Sequence, residues 1–397
     1  MKRRTLFTII GVILAAEVVS GIILHLTAPA PSMREDAKLP AFISWNEATE
    51  TTQLVPNYKG TYAEVLQSLR QANWLNLKAI FDVELALTDL KPSDDGIVVD
   101  AHGLRQSETI ENPDMKLLIL GDSISFGTLQ GKSFPHYVET FIQENPEKLN
   151  IEVMNASVPS HTTTDALKRL STFDDLKPHV VAIYLGVNDL YKKRPLVYTP
   201  PSYTLTLLGL KLPRTFENTF EKKVLKPLVQ LRTAFYTPPA VQNIRKIAQH
   251  FNAQGAKVVL IAPMMLTDAP QLTTTSQEKL RTSMPEWTTD TDILKQLNKR
   301  FSDSLTDLAP KVGADIVNSA DWLMITDNNQ NALYDNVHLS SSGAHAFAQY
   351  LTLPLRTAVE HKYGQMQLEA SYGTLVDAPT EDAIDPTPEG AEPENTQ

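Results

Sequence analysis

Residues 116–120 read KLLIL and run without a break into Gly121-Asp122-Ser123. A short apolar run with no polar alternation suits a strand buried on both faces, the usual situation in a parallel sheet. Four more runs follow the same pattern: 151–154 (IEVM), 180–185 (VVAIYL), 257–262 (KVVLIA) and 314–317 (ADIV). Amphipathic stretches separate them at 134–144, 164–173, 241–253 and 292–308. Strand and helix in alternation predict a doubly wound α/β domain over residues 94–361. Upstream, 42–90 reads as short helical pieces, with Trp45 and Trp74 anchoring them onto that domain. Two segments break the rhythm. Residues 191–240 carry seven prolines, which predicts an insertion over one end of the sheet. Residues 264–290 read as a second polar loop.

The strand ends carry the chemistry. In an open α/β sheet, ligands bind beyond the carboxyl ends of the strands. Ser123 stands there in the turn GDSISFG, well placed to attack a bound carbonyl. A hydroxyl is a weak nucleophile and needs a base. The same turn also serves as a plain helix cap through Asp122 or Ser123. A second block, Gly186-Val187-Asn188-Asp189, follows VVAIYL directly. Gly186 permits close backbone approach, and the Asn188 amide offers a donor to a developing oxyanion, worth about 3 kcal/mol when preorganised. Asp189 reads as loop support. Asn-Asp pairs also make ordinary turns.

The base is sought among nine histidines. Only His338 has an acid three positions earlier, Asp335. One turn brings that carboxylate to the ring, where it fixes the tautomer and stabilises the imidazolium. A fourth block, Asn155-Ala156-Ser157-Val158-Pro159-Ser160, closes the second strand and offers a backbone N–H. The other histidines lack metal-ligand spacing, so neither a metal nor a cofactor is expected. His161, next to the fourth block, is the one to watch as a pocket residue. The Gly-x-Ser-x-Gly elbow of α/β-hydrolases is absent.

These four blocks, in this order, resemble those of the SGNH (GDSL-type) hydrolases. The stretch Asp100-Ala101-His102-Gly103-Leu104-Arg105 also resembles the lead-in of bacterial extracytoplasmic members. The resemblance implies a flavodoxin-like three-layer α/β/α sandwich on a five-stranded parallel sheet in the order 2-1-3-4-5. It implies Ser123 as nucleophile, His338 as base and Asp335 as its orienter. The oxyanion donors would be the N–H groups of Ser123 and Ser157 and the amide of Asn188, with Asp122 and Gly186 in support. One departure stands out. The family's second-block glycine falls at Ser157, and the next glycine is also serine, Ser160. Serine keeps the N–H but resists positive φ, so the departure bears on the oxyanion hole.

The ends of the chain suggest where it works. Residues 1–5 form a basic tip, and 6–26 are mostly apolar. Twenty-one helical positions span roughly 31 Å, a bilayer core. The basic flank predicts a cytoplasmic N-terminus with the remainder outside, in the periplasm of a two-membrane cell. A cleaved signal peptide, leaving a secreted protein, is the alternative. Residues 27–93 form a linker and juxtamembrane segment. Residues 373–397 are acidic and Pro-rich, which predicts disorder. Seven acids in 374–397 account for most of the formal charge of -10. The near-neutral remainder lacks the basic surface that nucleic acids require. With no cysteine, thiol catalysis and disulfides are excluded.

The expected function is a serine esterase acting on short acyl groups of a small-molecule or glycan ester. Polysaccharide O-acyl transfer is one alternative. A non-catalytic binding or scaffold protein on the same fold is another. Lipolysis at the membrane surface is a third, kept open by the leucines at 205–210. The sequence leaves the oligomeric state open.

Overall fold

Two small antiparallel pairs precede the main sheet. Strands β1 (Ile43–Asn46) and β2 (Thr51–Leu54) form a hairpin, and β3 (Lys59–Gly60) pairs with β4 (Ile97–Val98). Helix α1 (Tyr62–Gln71) lies between them in sequence. The helical reading of 42–90 is therefore corrected at its start. The Asn46 side chain accepts from the N–H groups of Ala48 and Thr49 and so builds a turn. The β-branched Thr51 and Thr52 then favour a strand.

The computed structural model describes residues 38–72, 96–105, 110–127, 132–144, 149–192, 238–285, 288, 290–325 and 331–376. The expected membrane segment at 6–26, Trp74, most of the 191–240 insertion and the acid-rich end of the chain lie outside them. No helix among the described residues is long and apolar enough to cross a membrane.

The main sheet comprises β5 (Met115–Gly121), β6 (Ile151–Asn155), β7 (Val180–Tyr184), β8 (Lys257–Ala262) and β9 (Asp315–Asn318). Its order is β6-β5-β7-β8-β9 and every pairing is parallel. This is the expected 2-1-3-4-5 arrangement, and each strand lies within a residue or so of the apolar run that predicts it. Register sets the site. Ile119 is level with Asn155 on β6 and Ala182 on β7, and Gly121 with Tyr184. The segments leaving these three strands emerge side by side.

The helices are α2 (Ser123–Phe126), α3 (Phe134–Gln143), α4 (Thr163–Lys168), α5 (Val187–Lys192), α6 (Pro239–Ala253), α7 (Thr274–Ser283), α8 (Thr291–Leu308), α9 (Ser319–Ile325) and α10 (Ser341–Val376). They cover both sheet faces. On one, Met115, Leu117 and Ile119 pack with Phe134, Val138, Phe347 and Leu351 of α3 and α10. On the other, Leu118 and Leu120 pack with Ile244, Ile247 and Phe251 of α6. Helix α8 serves both, with Leu294 and Leu297 in the first cluster and Phe301 and Leu305 in the second. Each such buried side chain stabilises the fold by roughly 1.5–3 kcal/mol.

The segment 264–290 is also corrected. Met264, Met265 and Leu266 are fully buried, a short 3₁₀ turn follows at Leu266–Asp268, and α7 completes it. The buried methionines are the physical reason: this stretch crosses the core before it reaches solvent.

Candidate active site

Three turns at the carboxyl edge of the sheet carry the site. Gly121 ends β5 where side chains leave no room: a Cβ there would stand 1.7 Å from Ser125 Oγ and 2.9 Å from Ser157 Oγ. Asp122 then caps α2, its Oδ1 accepting from Ile124 N at 3.0 Å. Ser123 opens that helix, half-buried. Its N–H belongs to the first turn, which has no carbonyl partner within the helix.

The second turn leaves β7. Gly186 has φ +119°, and a Cβ there would meet the Phe301 ring at 2.3 Å. Only glycine satisfies both demands. Helix α5 follows and ties the site together. Asn188 Nδ2 donates to the His161 carbonyl at 2.9 Å and to Asp122 Oδ2 at 3.4 Å. Asp189 accepts from Thr163 N and Oγ1 at 2.9 and 2.7 Å, the loop support expected of it. Lys192 Nζ donates to the Ser160 carbonyl at 2.5 Å. Burial pushes both Asp122 and Asp189 up to about 6.

The third turn precedes α10. Ser123 Oγ lies 2.8 Å from His338 Nε2, and His338 Nδ1 lies 2.6 Å from Asp335 Oδ2. The other carboxylate oxygen accepts from the N–H groups of Val337 and His338 at 2.8 and 2.7 Å. Burial opposes the charge on Asp335. The charge of His338 and the hydrogen bonds from its ring and from the backbone outweigh it and hold the carboxyl below its ordinary value. For His338 burial likewise opposes the charge, and Asp335 outweighs it, raising the imidazole above its ordinary 6.5.

Sequence reading missed the supports of this turn. Asn336, fully buried, donates its N–H to Ser283 Oγ at 3.0 Å and accepts from Leu266 N at 2.7 Å through its carbonyl. Its Oδ1 accepts from Thr267 N at 3.3 Å, and its Nδ2 donates to the Tyr191 hydroxyl. Tyr334 stacks on the His338 ring, 5.4 Å between centroids and 6° from parallel. The only sequence signal was position, since both residues sit within or beside Asp335–His338.

The fourth block departs from expectation. The Ser157 N–H donates to Asn155 Oδ1 at 3.1 Å, and Ser157 Oγ donates to Ser125 Oγ at 2.8 Å. Ser157 is fully buried. Its N–H is thus engaged within its own turn, at the position where the resemblance implies an oxyanion donor. Asn155 also donates to the Ser125 carbonyl at 3.0 Å, which binds this turn to α2. Ser160 is the residue with positive φ, +67°. A left-handed non-glycine residue costs roughly 1–2 kcal/mol, and such strain concentrates at functional sites. The Ser160 N–H has no hydrogen-bond partner among the described residues. The signal was the second family glycine replaced by serine.

A parallel sheet with a serine–imidazole–carboxylate relay at its carboxyl edge defines a serine hydrolase of the three-layer type. Residues 119–346 match the family model of the GDSL-like lipase/acylhydrolase family. The chain belongs to this family, that of the SGNH hydrolases, and is a hydrolase acting on ester bonds. Solved structures of similar fold include Axe2, an acetylxylan esterase from Geobacillus stearothermophilus, at 19% identity and a TM-score of 0.40 over 64% of this chain and 95% of that one. A point variant of the same enzyme matches at 17% and 0.42, over 62% and 96%. TesA matches at 20% and 0.37, over 61% and 99%. Among curated proteins no match was found.

Proposed function

We propose that the chain hydrolyses a short acyl ester through an acyl-enzyme on Ser123. Ser123 Oγ attacks the carbonyl carbon while His338 Nε2 takes its proton. The carbonyl oxygen becomes an oxyanion, received by the Ser123 N–H, the Asn188 amide and the Ser160 N–H. The tetrahedral adduct collapses, the C–O bond to the alcohol breaks, and His338 returns the proton to the departing oxygen. A water then attacks the acyl-enzyme, giving its proton to His338, and the acid leaves with Ser123 restored. Asp335 orients the ring and balances its positive charge throughout.

The observation that carries this reading is the unbroken relay from Ser123 Oγ through His338 to Asp335, at 2.8 and 2.6 Å. The Asn188 amide is engaged in the same structure, but unequally. Its contact with His161 is firm at 2.9 Å, while that with Asp122 is long at 3.4 Å. The long contact is the one to yield its hydrogen to an oxyanion. Ser160 replaces Ser157 as the second-block donor on the strength of its unpartnered N–H.

The substrate we propose is an O-acyl group, acetyl for choice, on an envelope glycan outside the cytoplasmic membrane. This rests on the N-terminal reading: a basic tip at 1–5, a membrane anchor at 6–26 and a linker at 27–93. The hydrolase domain at 94–361, with its insertion at 191–240, and the tail at 373–397 then stand outside the membrane.

The test uses the full chain in detergent. A fluorophosphonate should label it covalently, and a panel of p-nitrophenyl esters should give fastest turnover on acetyl and propionyl. Ser123→Ala should abolish labelling and lower kcat by about 10⁶-fold. Labelling that persists in Ser123→Ala refutes the assignment. Acylation of an added glycan faster than release of free acid converts hydrolysis into transfer.

A further inference from the structure

The segment ahead of the family match is built into the site. The β1–β2 hairpin lies wholly before residue 119, where the match begins. Phe42, beside β1, is fully buried and stacks on Phe126, 5.6 Å between centroids and 6° from parallel. Phe126 is the last residue of the helix that Ser123 opens. The same cluster holds Ile43, Leu54 and Val158, with Tyr334 packed at its edge. The hairpin thus backs the nucleophile helix, the fourth block and the residue stacked on His338.

One polar link runs through this wall. His161 Nε2 lies 2.7 Å from the Thr52 carbonyl and 3.1 Å from Thr52 Oγ1, and both residues are buried. The carbonyl contact requires the ring to donate from Nε2, which fixes its tautomer. The backbone of His161 is engaged at both its polar groups. Its N–H donates to the Val158 carbonyl at 3.2 Å, closing the turn that contains Ser160. Its carbonyl accepts from Asn188 Nδ2 at 2.9 Å. One residue therefore fastens the hairpin on its side-chain end and, on its backbone end, both the turn that contains Ser160 and the Asn188 amide.

We infer that His161 is a positioning residue: tethered to β2 of the N-terminal hairpin, it sets the Ser160 N–H and the Asn188 amide at the spacing an oxyanion needs. The inference rests on the esterase reading above. It gives the hairpin a part in the reaction rather than in folding alone. An oxyanion donor acts only within about 0.5 Å of its productive position. A turn that holds a strained serine has reason to be fastened from behind. Burial and the neighbouring Arg169 hold the His161 ring well below the ordinary imidazole value, which suits a fixed neutral donor.

The test compares His161→Leu, which has no polar group, with His161→Gln, whose amide reaches toward Thr52. Both are made in the full chain, beside Ser123→Ala. His161→Leu should lower kcat on an acetyl ester about 10- to 100-fold with KM within about twofold, the loss expected from a misplaced group. Its acid limb should coincide with wild type, because Asp335 and His338 are untouched. His161→Gln should recover to within about fivefold of wild type. Three results overturn the inference: His161→Leu retaining wild-type kcat, His161→Gln as poor as His161→Leu at equal Tm, or a displaced acid limb. If His161→Leu does not fold, His161→Asn, too short to reach Thr52, takes its place. Equal activity of His161→Asn and His161→Gln then overturns it. An active Ser123→Ala would instead overturn the esterase reading itself.

Discussion

The two halves of the site are made in different ways. The proton-relay half is built on two residues close in sequence. Asp335 and His338 are three residues apart, and the carboxylate bonds both the ring and the backbone of its partner. The oxyanion half is assembled from distant stretches. Asn188 reaches His161 and Asp122, His161 reaches Thr52 at a sequence separation of 109, and Ser160 sits under strain between them. Short sequence separation lets the pair form within one turn, which the partners of Asn336 then brace from outside. Long separation requires several supports, each of which can be removed singly.

That contrast ranks the effects of substitution. Asp335→Asn strikes the compact half and should have the largest effect, a fall in kcat of about 10⁴-fold through the wrong tautomer. Its pH profile carries a sign. His338 must be neutral to act, and Asp335 raises its pKa above 6.5, so activity is lost as pH falls through that raised value. Asp335→Asn removes the cause, so the acid limb of kcat/KM should move to lower pH. A limb that stays in place would mean that the carboxylate is not what charges the ring.

Asn188→Ala strikes the distributed half and should cost about 10²- to 10³-fold in kcat, with the acid limb unchanged. An effect as large as that of Asp335→Asn would erase the distinction between the halves. The smallest effects belong to the serines that replace glycine. Ser157→Gly should leave kcat within about threefold, since Asn155 and not substrate holds its N–H. The lost Ser157–Ser125 hydrogen bond should cost about 1 kcal/mol in denaturant unfolding. Ser160→Gly should instead stabilise by about 1 kcal/mol, because glycine accepts φ +67° freely.

The same contrast explains what the sequence disclosed. The sheet was legible because its strands are buried on both faces and their apolar runs are continuous. Ser123, Asn188 and His338 were legible because each follows a strand or carries its partner three residues away. Asn336 and Tyr334 were not, since neither belongs to a recurrent spacing and their roles arise from Tyr191, Thr267 and the stacked ring. The engagement of the Ser157 N–H was not legible, because a missing glycine marks a position without telling which backbone N–H is spoken for. That depended on Asn155, whose amide turns back on its own chain. The hairpin was missed because 42–90 shows no strand run long enough to stand out, and its register follows from the Asn46 turn.

A final consequence follows from the closed loop around the imidazole. Tyr334 N–H donates to the His338 carbonyl at 3.0 Å, and Leu333 bridges Leu339. Carboxylate and ring are thereby enclosed in one short loop fastened at both ends. A perturbation of the sheet edge should therefore leave the carboxylate–ring contact intact and act first on the 2.8 Å gap between that ring and the Ser123 hydroxyl.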